Sequence, residues 1–345
     1  MNKILLGLSG GVDSAVCAAL LQEQGFDVTA CFLMLTENSS PESEEAKNAE
    51  AIAQHLGIRL IKADYRKRFK EYVSDYFIKE YLEGKTPNPC IRCNPTVKIF
   101  CLQQEADRLG IEKTATGHYA VAQYCEEYAS VVLKAAPSKK DQSYFLGRLS
   151  PEQIERLVFP LGKFCSKDEV RAYAEKLSLP NAKKGDSQEI CFIPDNSYQK
   201  YICEHSDFKA KEGSFLDNDG AIIGTHTGII NYTVGQRKGL GAFGAPRYVK
   251  SINARDNTIT LCRAEERFEK SLTGEDISWA VKTPPESPFT AQIKIRSTAK
   301  PEEALITVEN GLLSASFSDP VLAPTPGQSA VIYKDGTVLG TATIV

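Results

Sequence analysis

No apolar stretch in the chain approaches the ~20 residues that a membrane-spanning helix needs. The opening MNKILLGLSGG carries one lysine and a short apolar run, without the longer apolar region and small-residue cleavage site of a secretory signal. A cytoplasmic protein without a membrane partner is therefore expected. Net charge is scarce too: 41 Lys and Arg against 44 Asp and Glu leave −3. A protein-wide basic field is excluded, so any nucleic-acid surface must be a local patch. There is no internal repeat and no low-complexity tract, and 42% hydrophobic with 25% charged residues argues against disorder. What the chain does hold is cysteine, ten in 345 residues. Without a signal peptide, a disulfide framework is not expected in so long a chain. Most of these cysteines read as small buried hydrophobes.

The length suits two or three domains at roughly 100–200 residues each. Residues 3–8, KILLGL, read as a strand buried on both faces, broken by Gly10 and Gly11. A helical pattern follows with Val12, Val16, Ala19 and Leu20 on one face and a stop at Gly25. Strands are expected over 28–35, 58–63 and 113–116, and helices over 44–56, 69–82 and 98–109. This alternation predicts an α/β fold with a doubly wound parallel sheet, whose ligands bind at the carboxyl ends of its strands. Ser166 to Glu169 form a capping box that opens another helix. After about His205 the pattern becomes short strands with turns at Asn218-Asp219-Gly220, Arg255-Asp256-Asn257 and Lys334-Asp335-Gly336. The expected division is a catalytic α/β domain over 1–204, a small β-rich domain over 205–274 and a β-barrel-like domain over 275–345.

The first loop is LSGGVDSAV, from Leu8 to Val16. It lacks the Gly-Lys-Ser/Thr ending of a Walker A loop and is not G-x-G-x-x-G. Gly10 and Gly11 let backbone approach an anion, Ser9 and Ser14 supply hydroxyls, and a helix start offers free N–H groups. Asp13 is the odd member, because a carboxylate repels phosphate; it suits Mg²⁺ binding or helix capping. The bland alternative is a Gly-rich turn with a polar N-cap. Placed after the first strand of an α/β sheet, the full S-G-G-x-D-S string resembles the PP-loop of the ATP pyrophosphatases, which adenylate a substrate oxygen.

Further strings narrow the resemblance: TPNPCIRCN (86–94), ATGHY (115–119), KDQSYFL (140–146), DSQEICFI (186–193), GQRKGLG (235–241) and TPGQSAV (325–331). In this order they resemble the bacterial tRNA-specific 2-thiouridylase (MnmA) family. The resemblance implies adenylation of the C2 oxygen of the wobble uridine by ATP with Mg²⁺, then sulfur attack at C2 and departure of AMP. It places the catalytic cysteine at Cys93 and the persulfide carrier at Cys191. ATP contacts fall on Gly7, Leu8, Ser9, Gly10, Gly11, Val12, Asp13, Ser14, Leu33 and Gly117. Contact with the target base falls on Asn88, Pro89 and Cys90. Contacts with tRNA fall on His118, Lys140, Asp141, Gln142, Arg296, Ser297 and Gln328. The implied partners are a tRNA with a wobble uridine and a sulfur donor such as a cysteine desulfurase or sulfur-relay protein. Because thiolates form near positive charge or a helix N-terminus, the place of Cys93 just before the 98–109 helix suits a lowered thiol pKa. A stacked uridine must also be splayed into a pocket.

One position departs from the family pattern N-P-D-x-x-C-N: Cys90 stands where aspartate is usual. Three readings of Cys90 follow. With Cys93 and Cys191 it could ligate a 4Fe–4S cluster, as in related thiolases with three such cysteines. It could be a bystander or redox partner, disulfide formation included, in a persulfide scheme. It could help hold structural zinc, although zinc sites usually show two close ligand pairs. The other seven cysteines read as structural. The cations between Arg59 and Lys70 read as a solvated face or an RNA backbone contact. Arg237 and Lys238 suggest a tRNA-side or loop-positioning role, while His55 and His205 read as surface residues. A PP-loop synthetase acting on a small molecule is the competing enzyme class, but no glutaminase signature supplies ammonia and the cysteines would be superfluous. A non-catalytic RNA-binding or sulfur-carrier module would be expected to have a degraded PP-loop, whereas Ser9, Gly10, Gly11, Asp13 and Ser14 are all present.

Overall fold

The computed structural model describes residues 2–182, 190–193 and 197–345. The first half of the chain supplies β1 (Lys3–Gly7), β2 (Asp27–Met34), β3 (Arg59–Asp64), β4 (Lys113–Ala115), β5 (Ala120–Cys125), β6 (Ser130–Ala135) and β7 (Leu157–Val158). A parallel sheet runs in the order β3-β2-β1-β4-β7. Its central strand is apolar on both faces: Ile4 and Leu6 pack into one core with the helices Val12–Glu23 and Glu44–Leu56, and Leu5 packs into another with the helix Ile99–Arg108. The expected doubly wound α/β architecture is present. The chain steps outward from β1 to β3 and returns beside β1 with β4. That reversal opens a crevice at the carboxyl ends of β1 and β4.

The helix Glu44–Leu56 forms where expected. Ser43 Oγ accepts the Ala46 N–H at its start, and Gly57 at φ 64° ends it. The helix expected over 98–109 instead belongs to a longer helical run. That run comprises Pro89–Cys93, a π-helical turn Asn94–Lys98 and then Ile99–Arg108. Pro95 is the local cause, because it has no N–H to continue the α-helical ladder. The carbonyls around the turn take side-chain donors: Thr96 Oγ1 to Arg92 O at 2.7 Å, Gln153 Nε2 to Pro95 O at 2.9 Å and Arg68 Nε to Thr96 O at 2.8 Å.

β8 (Gly213–Leu216), β9 (Ile222–His226), β10 (Tyr248–Asn253) and β11 (Thr258–Cys262) form a sheet in the order β10-β11-β8-β9. Its core continues into the first domain, where Phe69, Val73 and Phe77 pack in one cluster with Phe215 and Ile259. β12 (Phe268–Trp279), β13 (Phe289–Lys294), β14 (Glu302–Glu309), β15 (Leu312–Leu322), β16 (Ser329–Lys334) and β17 (Thr337–Ile344) follow. Pairing of β12 with β17 closes these six into a barrel. Residue 275 lies inside β12. The hairpin β5–β6 joins the barrel sheet at the Thr337–Lys134 pair, although it lies far upstream in the chain. Among the described residues no helix is long and apolar enough to cross a membrane.

Candidate active site

The PP-loop leaves the carboxyl end of β1 and enters the helix Val12–Glu23. It is held by its own hydroxyls. Ser14 Oγ donates to Gly11 O at 3.0 Å and accepts the Ser9 N–H at 3.2 Å. Gly10 has φ 76°, and a Cβ there would lie 2.5 Å from Glu45 O, so glycine is required on both grounds. Gly117, just beyond β4, faces the loop from the neighbouring strand: a Cβ on it would lie 3.1 Å from Ser14 N. Leu33, near the end of β2, is half-buried. The residues matched to ATP contacts thus gather at the switch-point crevice.

The structure explains Asp13. It does not cap the helix: Gly11 occupies the N-cap position and makes no side-chain cap bond. Instead Asp13 Oδ1 accepts from Lys167 Nζ at 2.7 Å and from Tyr119 Oη at 2.8 Å. Lys167, only 10% exposed at its side chain, offsets the carboxylate that would otherwise repel phosphate. It starts the helix Lys167–Lys176, whose N-cap Ser166 Oγ accepts the Glu169 N–H at 3.3 Å. A second brace comes from Asn181, whose Nδ2 donates to Gly10 O at 3.0 Å. Sequence reading missed Lys167, Tyr119 and Asn181 as site residues. The capping box drew attention to the Lys167 helix but carried no sign of its partner.

The C-x-x-C segment has its own local logic. Asn88 Oδ1 accepts the N–H groups of Cys90 at 2.8 Å and Ile91 at 3.4 Å, and Pro89 fills the first helical position. Cys93 therefore lies within the helical run, not ahead of it. Beside it, Asn94 Nδ2 donates to Phe145 O at 2.8 Å. Cys191 reaches this region through Phe192, whose ring packs on Phe69, Phe77 and Tyr201 with centroids 5.3, 5.5 and 5.2 Å away. Of the surrounding DSQEICFI string, residues 186–189 lie outside the described residues.

Cys90, Cys93 and Cys191 share one electrostatic environment. Burial pushes the Cys93 thiol up to about 12; the Lys98 cation opposes that rise, and Cys191 and Cys90 add to it. The expected lowering of the Cys93 pKa is thus reversed, because desolvation outweighs the nearby cation. Cys90 and Cys191 are solvent-accessible, yet the protein around them raises both thiols, again against Lys98. All ten cysteines are free thiols. Among the described residues, no group of three or more His, Cys, Asp or Glu side chains is arranged to hold a metal ion. The three thiols therefore form no preformed cage for a 4Fe–4S cluster or for zinc among the described residues, and neither ligand reading of Cys90 is shown.

Several residues matched to tRNA contacts have internal partners. His118 is buried, bonds Thr116 Oγ1 through Nδ1 at 2.8 Å and is held neutral, its pKa lowered by burial and then by Lys98 to about 3. Asp141 accepts the Ala136 N–H at 2.9 Å and the Ser143 hydroxyl at 2.7 Å, and Gln142 Oε1 accepts the Tyr119 N–H at 3.0 Å. Lys140 is exposed. Arg296 Nη2 donates to Ala323 O at 2.5 Å and Thr325 Oγ1 at 2.7 Å, and Ser297 is half-buried. Gln328 Nε2 donates to Thr86 O at 2.7 Å, while the Thr86 N–H donates to Pro326 O at 2.8 Å. The barrel thereby grips the approach to the C-x-x-C segment.

Comparison with known proteins agrees with this layout. Family models match a tRNA methyl transferase HUP domain over residues 2–195, a tRNA methyl transferase PRC-barrel domain over 199–263 and an aminomethyltransferase β-barrel domain over 269–344. The tRNA-specific 2-thiouridylase MnmA 1 of Thermoanaerobacter pseudethanolicus is 41% identical, covering 99% of this chain and 98% of its own. The corresponding protein of Clostridium perfringens is 40% identical, covering 98% of this chain and 97% of its own. That of Acetivibrio thermocellus is 41% identical, covering 98% of both. The chain belongs to the tRNA-specific 2-thiouridylase (MnmA) family.

Proposed function

We propose that this protein is a cytoplasmic tRNA-uridine 2-sulfurtransferase that converts the anticodon wobble uridine to 2-thiouridine at the cost of ATP. The observation that carries the reading is full-length kinship with the 2-thiouridylases together with an intact, internally braced PP-loop. Gly7 to Ser14, with Leu33 and Gly117, would hold ATP, and their position at the carboxyl ends of β1 and β4 supports this. Magnesium, which accompanies ATP, suits Asp13 Oδ2, because the bonds from Lys167 and Tyr119 both fall on Oδ1. Adenylation of the C2 oxygen releases pyrophosphate and turns a poor leaving group into AMP.

Asn88, Pro89 and Cys90 would receive the splayed base, and Cys93 and Cys191 would handle the sulfur. Cys93 packs in the same apolar core as Phe192, the neighbour of Cys191, which supports their cooperation. A persulfide on Cys191, loaded by a cysteine desulfurase or sulfur-relay protein, supplies the nucleophile. Its outer sulfur bonds to C2 and AMP leaves. Cys93 then attacks the Cys191 sulfur and breaks its bond to the outer sulfur, which leaves as the sulfur of 2-thiouridine; the resulting Cys93–Cys191 disulfide must be reopened by a thiol reductant. Lys98 is placed to offset thiolate charge in this sequence. The C-terminal barrel and Lys140 are assigned to the tRNA side. The test is ATP-dependent thiolation of unmodified tRNA with a cysteine desulfurase and cysteine; no 2-thiouridine under either aerobic or anaerobic conditions would remove the reading. Iron and sulfide assays on anaerobically purified protein, with Cys90→Asp alongside, check the cluster: thiolation that tracks iron content would overturn the persulfide route.

A further inference from the structure

Arg92 sits between the two cysteines of the C-x-x-C segment, and its charge is poorly matched. Its guanidinium stacks on Tyr76, with Cζ 4.7 Å from the ring centroid. Its Nε is buried without a hydrogen-bond partner. The only carboxylate it meets among the described residues is Asp276, at 3.7 Å from Nη1, beyond hydrogen-bond length. Asp276 is already engaged elsewhere. Its Oδ2 accepts from Arg148 Nη1 at 2.7 Å, and its backbone carbonyl accepts from Arg148 Nη2. Arg148 is the better-buried partner, at 9% side-chain exposure against 31% for Arg92. Two guanidinium groups thus share one carboxylate, leaving an excess positive charge. Glu80, which acts on the Tyr76 side of this cluster, is paired with Lys85 at 3.8 Å. Asp276 is itself held out of the regular strand, with φ 52° at a bulge in β12.

We propose that Arg92 binds a backbone phosphate of the RNA substrate beside the splayed uridine, and that Asp276 holds the guanidinium in position until that phosphate arrives. The inference rests on the tRNA reading above. Stacking on Tyr76 fixes the plane of the guanidinium, and its two Nη groups form a fork suited to two phosphate oxygens. Its place one residue from Cys93 suits a phosphate flanking the reacting nucleotide. The loose contact with Asp276 lets the exchange occur without breaking a hydrogen bond, and Arg148 remains to neutralise the carboxylate afterwards.

The test is tRNA affinity as a function of KCl concentration, with the KM for ATP measured alongside. Arg92→Gln should weaken tRNA binding about fivefold to tenfold at low salt and reduce the salt slope by about 0.7–0.9, the loss of one phosphate contact. The KM for ATP should stay unchanged. Arg92→Lys, which keeps the charge without the fork, should keep the slope with weaker binding; it also serves if Arg92→Gln does not fold. Asp276→Asn should bind tRNA as well as wild type or more tightly, because the competing charge is gone. A wild-type slope in Arg92→Gln would overturn the proposal. A raised KM for ATP in place of weaker tRNA binding would assign Arg92 to the nucleotide instead. Equal loss of tRNA binding in Asp276→Asn and Arg92→Gln would make the pair a structural brace and overturn it too. Wild-type protein that binds no tRNA would overturn the functional reading itself, and this inference with it.

Discussion

Lys167 Nζ lies 2.7 Å from Asp13 Oδ1, joining the PP-loop to a helix that begins 154 residues later in the chain. The pair turns an acidic residue in a phosphate loop from a liability into a fixed, neutralised support. Lys167→Met should raise the KM for ATP about tenfold, or about 1.4 kcal/mol, through the uncovered carboxylate. The KM for tRNA should hold. Steady-state kinetics decides this, and an unchanged KM for ATP would show that the pair does not serve the loop.

Gly117 tests the opposite wall of the crevice. In Gly117→Ala the new Cβ would press at 3.1 Å on Ser14 N and 3.2 Å on Asp13 C, both backbone atoms. ATP affinity should fall roughly tenfold, with only about 1–2 kcal/mol lost in stability. Calorimetric titration with a non-hydrolysable ATP analogue gives the first number and urea unfolding the second. Unchanged nucleotide affinity would place ATP elsewhere.

The thiol assignments make a sharper demand. Cys93→Ser and Cys191→Ser should each abolish thiolation while leaving ATP affinity within about twofold of wild type, since neither residue belongs to the PP-loop. Mass spectrometry of digested tRNA is the readout. Normal 2-thiouridine from either variant would show that the substituted thiol is not needed.

Phe192 should matter although it bears no chemistry. Its ring meets Phe69, Phe77 and Tyr201 in the core that carries Cys191. Phe192→Ala should cost about 3–5 kcal/mol of stability. Phe192→Leu should cost less and still reduce thiolation more than ATP binding, because Cys191 loses its anchor. Equal losses in both activities would mark a general packing effect.

His118 predicts a pH dependence. Its folded pKa is lowered to about 3, below the about 6.5 of an unfolded histidine. Between these values the unfolded chain takes up a proton that the folded protein refuses. The contribution of His118 is therefore fully present above pH ~6.5 and is lost as pH falls toward 3. His118→Gln should flatten that part of the acid limb in a urea-unfolding series across pH. An unchanged slope would mean that the imidazole is solvated in the folded state.

The parts of the fold legible in sequence are those with local causes. The apolar run of β1 requires burial on both faces, Gly57 ends its helix, and Gly10 with Gly11 opens the PP-loop. Pro95 also lies in plain sight, yet the run from Pro89 to Arg108 looked like a helix starting at residue 98. A proline normally interrupts a helix, and here the side chains of Thr96, Gln153 and Arg68 donate to the carbonyls around the π turn through which the run continues. The hairpin β5–β6 was missed for a related reason: its sheet partner, β17, lies some two hundred residues downstream.

By itself the sequence determined the PP-loop, the C-x-x-C segment, the α/β alternation and the later change to β structure, because glycine placement, capping and hydrophobic period act over a few residues. It also carried the family resemblance, through the order of its motifs. Tertiary structure alone decided which charge neutralises Asp13, that Cys93 is raised rather than lowered, that His118 is neutral and interior, and that Arg92 faces an already occupied carboxylate. Each of these depends on desolvation or on Coulomb partners brought together across the chain, and neither leaves a mark on local residue spacing.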